Sequence, residues 1–419
     1  MFVNPSIFRA YDIRGIYPNE LDETAAYKIG RAFAVYLKEN EVNKPEKVII
    51  GYDARISSPV LKRSFIEGIT DEGVDIWDIG LVTVDMVYFA SGHFHFPAAM
   101  ITASHNPKDW NGFKLIKSNV EFFPPNDLES IIDGEKTGSP QGRGKIITDD
   151  IETDYIKHVL GFIDIEKIRP MRITVAQKSD TVDRIFKSIL EKLPLEISDS
   201  HYHFGCVFDS DGDRISFTDE RGDTVNPSII GALMVKYFLK KYPYGKIIYS
   251  AITGKIVADT IDAYGGSAIR ERVGHSFIER RLKETEGILG IEASGHYYFK
   301  KNFYADSGII SFLVMLDILS GEKKSLSILA SEFNKYVSIP EMSFKIDAPE
   351  EIIKKIAQNF EGYDIDWLDG LTVRTPDFWL NLRPSNTEPL LRLNIEAKDE
   401  LILNRVKDDL VSRIKSFLK

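Results

Sequence analysis

The 419-residue chain has little cysteine and no long hydrophobic segment. Cys206 is its only cysteine, so no disulfide can form within the chain, and a lone thiol fits a reducing compartment. The longest apolar segment, 308–321, contains Asp317 and is shorter than the roughly 20 residues that a membrane span needs, so we interpret it as a buried helix. The first residues lack the basic and apolar regions of a secretion signal. These features predict a cytoplasmic protein without a membrane partner.

An excess of positive charge is also absent. Lysine and arginine total 53 against 63 aspartate and glutamate residues, and the formal net charge is −10. An acidic chain has no general attraction for nucleic acid or for anionic membranes, so neither is expected as a partner. An anionic substrate then needs a local group of cations. With 43% hydrophobic and 28% charged residues the composition is typical of a globular protein, and the length predicts about two to four domains.

The chain has no internal repeat, and short apolar segments alternate with amphipathic ones. In the first part of the chain this alternation predicts helices at 21–39, 59–73 and 150–160 and strands at 47–53, 74–79 and 98–102. Strand–helix–strand alternation is typical of a mostly parallel sheet, in which ligands bind beyond the carboxyl ends of the strands. Asp53 and Ser104 both lie at such ends, so we expect both near a ligand.

The alternation continues as far as Pro340 and then changes. It predicts strands at 172–176, 203–208, 246–250 and 287–291 and helices at 182–193, 227–242, 256–264 and 276–284. Beyond Pro340 we expect a strand, a helix at 349–360, strands around Asp369 and a last helix from Asp399. That order is typical of an α+β module with antiparallel strands. The sequence therefore predicts three α/β units followed by one α+β unit.

Three aspartates, Asp209, Asp211 and Asp213, follow the strand predicted at 203–208. In an extended segment residues two apart point the same way, so the three carboxylates would form an oxygen site for Mg²⁺ or Ca²⁺. An EF-hand loop is disfavoured, because Arg214 stands where that loop needs glycine. A solvated acidic turn is the other alternative.

The segment TASHNP at 102–107 follows another predicted strand and carries Ser104. A serine exposed on such a turn is a candidate nucleophile or phosphate carrier, and a plain turn before proline is the alternative. The sequence has no GxSxG motif, so a hydrolase triad is not indicated.

Two further loops carry polar side chains that suit a sugar phosphate, although ordinary turns are the alternative for both. They hold Glu292, Ser294 and His296 in one loop and Arg383, Ser385, Asn386 and Thr387 in the other. Arginine binds oxyanions through two parallel hydrogen bonds, and turn N–H groups add donors. The first loop offers partners for sugar hydroxyls, and the second offers donors for a phosphate.

Five segments together resemble the α-D-phosphohexomutase family, with the closest likeness to its phosphomannomutase and phosphoglucomutase members. They are FRAYDIRG at 8–15, TASHNPKDWNGFK at 102–114, DSDGDR at 209–214, EASGH at 292–296 and RPSNTEP at 383–389. The resemblance implies a heart-shaped α/β protein with one site in a central cleft. Three α/β domains with mixed sheets and a C-terminal α+β domain are expected. Their implied boundaries are 1–150 with the phosphoserine loop, 151–225 with the metal loop, 226–335 with the sugar loop and 336–419 with the phosphate loop.

The same resemblance implies a role for each matching residue. The implied metal ligands are Asp209, Asp211 and Asp213 with the phosphate-carrying Ser104, and the other implied catalytic residues are Arg14, Lys114 and His296. Lys114 and His296 are the candidates for acid–base chemistry. Substrate contacts are implied for Tyr11, Arg214, His275, Glu292, Ser294, Arg383, Ser385, Asn386, Thr387 and Arg392.

Such an enzyme interconverts hexose 1-phosphate and hexose 6-phosphate with Mg²⁺. Its phosphoserine phosphorylates the free hydroxyl, the hexose 1,6-bisphosphate turns end over end, and the other phosphate returns to the serine. Phosphomannomutase is the first choice, because EASGH followed by Tyr297 resembles the mannose and glucose type. Phosphoglucomutase and phosphoglucosamine mutase are the alternatives, and a monomer or homodimer is expected.

Two hypotheses of other classes stay open. One is a phosphatase of the haloacid-dehalogenase type with Asp209 as nucleophile, which leaves Ser104 unexplained. The other is a sugar-phosphate-binding protein without catalysis.

The chain also departs from the family, because its second domain is short, with the turn 177–180 where relatives carry a glycine-rich one. Ile252 stands where some phosphomannomutases carry a substrate-binding lysine, and Arg272 is a candidate replacement.

Overall fold

The structure is a computed structural model. It describes residues 3–9, 11–41, 45–104, 106–133, 142–176, 180–346, 348–385 and 390–417. They form two compact units, of which the first contains Met1–Gly222 and His296–Lys323 and the second contains Asp223–Gly295 and Lys324–Lys419. Within the described ranges, no helix combines the length and the apolar character needed to cross a membrane.

The first unit begins with a mixed sheet of seven strands. They are β1 (Ile13–Ile16), β2 (Lys47–Tyr52), β3 (Asp75–Leu81), β4 (Ala98–Ile101), β5 (Trp110–Lys117), β6 (Glu121–Phe122) and β7 (Ile146–Thr148). The order is β1-β5-β4-β2-β3-β7, with β6 beside β5. Strands β4, β2, β3 and β7 are parallel, and β1, β5 and β6 pair antiparallel. The predicted parallel arrangement is therefore confirmed for the strands that precede Asp53 and Ser104.

Four helices accompany this sheet: α1 (Glu23–Asn40), α2 (Ser58–Asp71), α3 (Val84–Phe94) and α4 (Asn126–Asp133). Helix α1 begins after Asp22, whose carboxylate accepts a hydrogen bond from the Ala25 N–H at 2.8 Å. It buries Ile29, Phe33 and Leu37 on one face, as its apolar spacing predicts. Helix α3 was not predicted, because most of its residues are buried and its sequence has no amphipathic period.

The segment expected to form a short second domain also folds into a sheet in the first unit. Its elements are α5 (Glu152–Leu160), β8 (Met171–Ala176), α6 (Asp180–Leu190), β9 (Leu195–Ile197), β10 (Phe204–Phe208) and β11 (Ile215–Thr218). The order is β11-β10-β8-β9, with β10 parallel to β8 and antiparallel to β11. Most of the turn at 177–180 lies outside the described residues.

The second unit begins with the short strand β12 (Thr224–Val225) and continues with alternating helices and strands. They are α7 (Pro227–Lys241), β13 (Lys246–Ser250), α8 (Lys255–Ala263), β14 (Ser267–Glu271), α9 (His275–Thr285) and β15 (Leu289–Ile291). Strand β13 lies between β14 and β15 and is parallel to both. The predicted strand–helix alternation of this segment is confirmed.

The chain then returns to the first unit with β16 (Tyr297–Phe299) and α10 (Gly308–Glu322). Ser307 caps α10, because its Oγ accepts a hydrogen bond from the Ile310 N–H at 3.1 Å. Nearly every residue of α10 is buried, which confirms that the longest apolar segment is a core helix.

The rest of the second unit is an α+β module. Its elements are α11 (Leu326–Ser331), β17 (Val337–Ser338), β18 (Met342–Lys345), α12 (Pro349–Ala357), β19 (Asp364–Asp366), β20 (Leu371–Arg374), β21 (Phe378–Pro384), β22 (Leu390–Ala397) and α13 (Glu400–Ser416). Its sheet has the order β17-β22-β21-β20-β19, with β18 also paired to β22, and the pairs are antiparallel as predicted. Helix α13 buries Leu403, Val406, Leu410 and Ile414 in the core of this module.

Candidate active site

Ser104 lies on a turn after β4, which is paired with β2. Asp53, just after β2, fixes this turn, since its carboxylate accepts hydrogen bonds from Thr102 Oγ1 at 2.7 Å and Ser58 Oγ at 2.5 Å. The Ser104 N–H donates to Thr102 Oγ1 at 2.9 Å. Ser104 has φ of 50°, a left-handed conformation that a non-glycine residue keeps only where its surroundings hold it. The two residues expected near a ligand thus lie together, because Asp53 holds the turn that carries Ser104.

Ser104 is buried, so the expectation of an exposed serine is wrong. Only 4% of its surface is accessible, and its Oγ donates a hydrogen bond to Asp211 Oδ1 at 3.0 Å. The loop that covers the serine is 107 residues away in sequence, so nothing in the segment around Ser104 could indicate it. The serine hydroxyl is therefore shielded from solvent and held against Asp211.

Arg55 holds the serine turn together, and the sequence analysis missed it. Its guanidinium donates to the carbonyl oxygens of Ser104 at 2.5 Å, Asn106 at 2.9 Å, Pro107 at 2.7 Å and Trp110 at 3.0 Å. A signal was present in the sequence, because this arginine follows β2 directly, at the strand end where ligands are expected. Arg55 therefore acts on the candidate nucleophile through the backbone.

The three aspartates lie in a compact loop after β10 and form what we call the carboxylate cluster (Asp209, Asp211, Asp213). The loop is not extended: Gly212 has φ of 83°, and Asp209 Oδ1 accepts hydrogen bonds from the N–H of Gly212 at 3.1 Å and of Arg214 at 3.2 Å. The predicted extended segment is thus wrong, because the chain turns back on its first aspartate. The carboxylates nevertheless converge, with one oxygen from each within 4.8 Å of the others.

Two cations bind the carboxylate cluster. Lys114, on β5, donates to Asp211 Oδ2 and to Asp213 Oδ2, both at 3.0 Å. Arg214 Nε donates to Asp209 Oδ2 at 2.7 Å. Burial alone would lower the pKa of Lys114, but the two aspartates raise this pKa well above its ordinary value. Lys114 therefore remains protonated at neutral pH.

The pKa values of the aspartates are shifted in opposite directions by burial and by neighbouring charges. Burial, followed by the charges of Asp213 and Asp211, raises the pKa of Asp209 to about 8. Burial acts in the same direction on Asp213, but Lys114 and His296 hold the pKa of Asp213 well below its ordinary value. Within the described part of the chain, the buried Asp213 Oδ1 has no hydrogen-bond partner. A converging set of carboxylate oxygens with one such atom fits a Mg²⁺ ion.

Three other predicted residues lie in the first unit. Arg14, on β1, donates to Asn106 Oδ1 in the serine turn at 2.5 Å. Tyr11 is half-buried just before β1. His296 Nε2 lies 3.7 Å from Asp213 Oδ1. The expected catalytic residues of this unit are thus grouped around the serine turn and the carboxylate cluster.

The second unit contains a cavity of about 360 Å³, which we call the arginine cavity. Glu292 and Ser294, in the loop after β15, and Arg383 and Arg392, on β21 and β22, all line it. The two arginines are directly opposite each other in the pairing of β21 with β22. The cavity thus supplies the local cations that an acidic chain needs to bind an anion.

The remaining predicted residues of the second unit are not among the described residues that line the arginine cavity. Asn386 and Thr387 lie outside the described residues. The Ser385 N–H donates to the Leu390 carbonyl at 2.8 Å, where β21 leads towards β22. His275 begins α9 and is not among the described residues that line the arginine cavity.

The structure describes Ile252, where some phosphomannomutases carry a lysine, and Arg272, the candidate replacement. Ile252 lines the arginine cavity and contributes no charge. The Arg272 guanidinium lies over the ring of Phe277, 4.0 Å from its centroid. The observed partner of Arg272 is thus an aromatic ring. Its neighbour Val273 is among the residues that line the arginine cavity, and Arg272 is not among the described lining residues.

Glu341 also lines the arginine cavity and was missed by the sequence analysis. Its carboxylate binds both arginines of the cavity, through Arg383 Nη2 at 3.1 Å and Arg392 Nη1 at 2.9 Å. A single acidic residue before a short strand carries no sequence signal, because only the pairing of β18 with β22 brings it to the arginines.

Comparison with known proteins identifies relatives over the whole chain. Family models described as phosphoglucomutase/phosphomannomutase match over three segments: alpha/beta/alpha domain I over 5–140, alpha/beta/alpha domain III over 226–336 and the C-terminal domain over 341–413. A phosphomannomutase of Methanocaldococcus jannaschii is 32% identical, with 99% of this chain and 98% of that protein covered. A phosphomannomutase of Escherichia coli is 29% identical, with 94% of this chain and 96% of that protein covered.

A solved structure of similar fold is the phosphoglucomutase/phosphomannomutase family protein of Burkholderia thailandensis. It superposes with a TM-score of 0.88 at 27% identity, and the match covers 99% of this chain and 98% of that one. Family models, full-length relatives and fold agree with the resemblance that the five sequence segments indicated. The chain belongs to the phosphoglucomutase/phosphomannomutase family.

Proposed function

We propose that this enzyme is a phosphohexomutase that interconverts mannose 1-phosphate and mannose 6-phosphate, with glucose phosphates as the alternative substrates. The observation that supports this most strongly is the hydrogen bond between Ser104 Oγ and Asp211 in the carboxylate cluster. A serine beside three carboxylates can carry a phosphoryl group next to a divalent cation. The phosphomannomutase relatives favour mannose as the sugar.

In the first half-reaction, phosphorylated Ser104 gives its phosphoryl group to the free hydroxyl of a hexose monophosphate. The bond from phosphorus to Ser104 Oγ breaks while a bond to the sugar oxygen forms. The hydroxyl proton moves to His296 Nε2, and Lys114 donates a proton to Ser104 Oγ. Lys114 is assigned the acid role because the aspartates keep it protonated, although the same aspartates make its proton harder to release. Arg14 stabilises the charge of the transferring group.

In the second half-reaction the hexose 1,6-bisphosphate, after turning, returns its other phosphate to Ser104. The serine proton goes back to Lys114, and His296 returns its proton to the sugar oxygen. Lys114 and His296 then have their starting protonation, and Ser104 again carries a phosphoryl group. The enzyme is thus ready for the next cycle. The bisphosphate is thus both intermediate and activator, because it restores the phosphoserine if the phosphate is lost.

The proposed Mg²⁺ ligands are Asp209, Asp211 and Asp213 together with phosphorylated Ser104. A bound Mg²⁺ would neutralise charge on the transferring phosphoryl oxygens. The carboxylates would be in place before the ion binds, since Lys114 and Arg214 already hold them.

The proposed sugar and phosphate contacts divide by chemistry. Glu292 and Ser294 are assigned to sugar hydroxyls, and Arg383 with Ser385 to the phosphate that is not transferred. Further proposed contacts are Tyr11, Arg214, His275, Asn386, Thr387 and Arg392. We also propose domains at 1–150, 151–225, 226–335 and 336–419 and a cytoplasmic monomer or homodimer.

The test compares mannose 1-phosphate, glucose 1-phosphate and glucosamine 1-phosphate side by side, with a catalytic amount of the matching bisphosphate. We expect isomerisation, fastest with mannose 1-phosphate. Release of inorganic phosphate instead would indicate a phosphatase, and binding without turnover would indicate a non-catalytic protein. Chelation should abolish activity and Mg²⁺ should restore it, whereas activity indifferent to the chelator would reject the metal assignment.

A further inference from the structure

Glu341 brings one carboxylate to three donors in the arginine cavity. Oε1 accepts from Arg392 Nη1 at 2.9 Å, and Oε2 accepts from Arg383 Nη2 at 3.1 Å and from Asn394 Nδ2 at 3.0 Å. Two paired strands place these donors on one face, since Arg383 is opposite Arg392 and Asn394 follows two residues later on β22. One carboxylate therefore occupies donors that would suit a phosphate.

Arg383 needs an anion whether or not a substrate is bound. It is only 3% exposed, and a guanidinium does not lose its proton in proteins, so its charge stays buried. Its Nε is buried and has no hydrogen-bond partner among the residues that the structure describes. The carboxylate of Glu341 thus leaves part of this arginine unsatisfied, which a larger oxyanion could satisfy.

We propose that Glu341 is an internal counter-anion that the substrate displaces: its carboxylate occupies the arginine cavity until the non-transferred phosphate of the sugar phosphate takes its donors. This inference rests on the proposed function, because the mutase reaction defines the displacing group. A phosphate dianion and the Glu341 carboxylate cannot share these donors without repulsion at close range. The two anions therefore exchange.

The exchange has a consequence for turnover. In the proposed reaction the bisphosphate turns, so it has to release one phosphate from Arg383 and then bind again through the opposite phosphate. An anion that binds the same donors lowers the free-energy gain of phosphate binding and makes release easier. Tighter binding of the ground state alone would not raise kcat. Glu341 thus keeps the phosphate contact weak enough for the bisphosphate to turn.

The direct test is phosphate affinity of the full chain by calorimetry, with inorganic phosphate and mannose 6-phosphate as probes. In Glu341→Gln the negative charge is lost, and we expect both probes to bind about tenfold more tightly. Glu341→Ala, which removes the side chain, should also bind both more tightly. With mannose 1-phosphate as substrate, KM should fall and kcat should not rise in either variant.

The matched control is Glu284→Gln on α9. This substitution removes the same negative charge. The Glu284 carboxylate pairs with Arg280 and Arg281, and Glu284 is not among the described residues that line the arginine cavity. Its phosphate affinity should equal that of the unmodified chain. Unchanged or weaker phosphate binding in both Glu341 variants, with thermal unfolding like that of the control, would overturn the proposal and make Glu341 a positioning residue for the arginines.

The two proposals fail separately. Calorimetry with inorganic phosphate needs no turnover, so tighter binding in the variants of a chain without mutase activity would reject the proposed function and retain the exchange of anions. A mutase whose Glu341 variants bind phosphate no more tightly would retain the function and reject the exchange.

Discussion

The carboxylate cluster of the first unit and the paired Arg383 and Arg392 of the arginine cavity in the second are each neutralised by groups of opposite charge, but in different ways. In the cluster, Lys114 and Arg214 each bind aspartate oxygens directly, and Ser104 is buried against Asp211. In the cavity, two arginines share one carboxylate, which lies at the cavity surface. We infer that the cluster holds its charged groups in fixed positions and that the cavity exchanges one anion for another.

This difference predicts different kinetic effects for substitutions in the two regions. A change in the cluster should lower kcat, because in the proposed mechanism the cluster acts on the reacting atoms. A change in the cavity should mainly alter KM and phosphate affinity, because the cavity is proposed to bind the phosphate that does not react. Mixed effects, with equal losses of kcat from both regions, would contradict the distinction.

The largest effect is expected from Ser104→Ala, which removes the proposed phosphate carrier. Mutase turnover should fall at least about 10³-fold, in line with loss of a covalent nucleophile. The measurement is kcat with mannose 1-phosphate, together with intact mass to detect the phosphorylated chain. Ser216→Ala, an exposed serine on β11 near the carboxylate cluster in sequence, is the control and should keep full activity. Near-normal turnover in Ser104→Ala would remove the basis of the proposed mechanism.

The next largest effect is expected from Arg383→Lys in the arginine cavity. Lysine keeps the charge but cannot offer two parallel donors, so KM for mannose 1-phosphate should rise roughly 10- to 100-fold while kcat falls less. Steady-state kinetics separates the two parameters. Arg413→Lys serves as control, because this partly exposed arginine pairs with Asp409 on α13 and does not line the described arginine cavity. A loss confined to kcat would place Arg383 at the reacting group instead of the distal phosphate.

Much of the fold was predictable from the sequence, because apolar spacing reports which face of an element is buried. The strands before Asp53 and Ser104 and the antiparallel C-terminal module were found in this way. Helix α3 was missed because a helix buried on nearly every side has no polar face. The candidate site was predictable as a set of motifs, but its geometry was not.

Two parts of the site that sequence could not predict depend on contacts between distant segments. The burial of Ser104 results from a loop far along the chain, and the place of Glu341 results from strand pairing. A third part is local: the aspartates converge because Gly212 turns the loop, whereas the alternation of aspartates with small residues predicted an extended segment.

Arg55 belongs to the same group of missed residues and gives a smaller expected effect. Arg55→Lys keeps the charge but cannot reach four carbonyl oxygens at once, so the serine turn should lose part of its order. We expect kcat to fall about tenfold with KM for the sugar phosphate nearly unchanged, because Arg55 acts through the turn that carries Ser104. Arg63→Lys, at an exposed position on α2, is the control. A change in KM alone would show that Arg55 contacts the substrate.

The smallest expected effect concerns Glu396, which lines the arginine cavity and accepts hydrogen bonds at one oxygen from Trp379 Nε1 at 2.7 Å and the Lys255 N–H at 2.9 Å. Burial raises the pKa of Glu396 above its ordinary value, in contrast to Asp213 in the carboxylate cluster, where nearby cations lower the pKa. The folded state therefore binds the Glu396 proton more tightly than the unfolded state does. Stability should fall as pH rises from the ordinary carboxyl pKa through the raised one, and it should not recover above that.

Glu396→Gln tests this reasoning, because glutamine keeps the accepting oxygen and removes the charge. At neutral pH the midpoint of thermal unfolding should rise, and a gain of about 1 kcal/mol would appear as roughly 2–4 °C in a unit of this size. The gain should shrink as the pH falls below the ordinary carboxyl pKa of 4.5 and vanish near about pH 3, where the carboxyl is protonated in both states. Glu361→Gln, at an exposed position, should show neither change. A lower unfolding temperature at neutral pH would mean that Lys255 and Trp379 stabilise the Glu396 charge more than burial destabilises it, and the contrast with Asp213 would disappear.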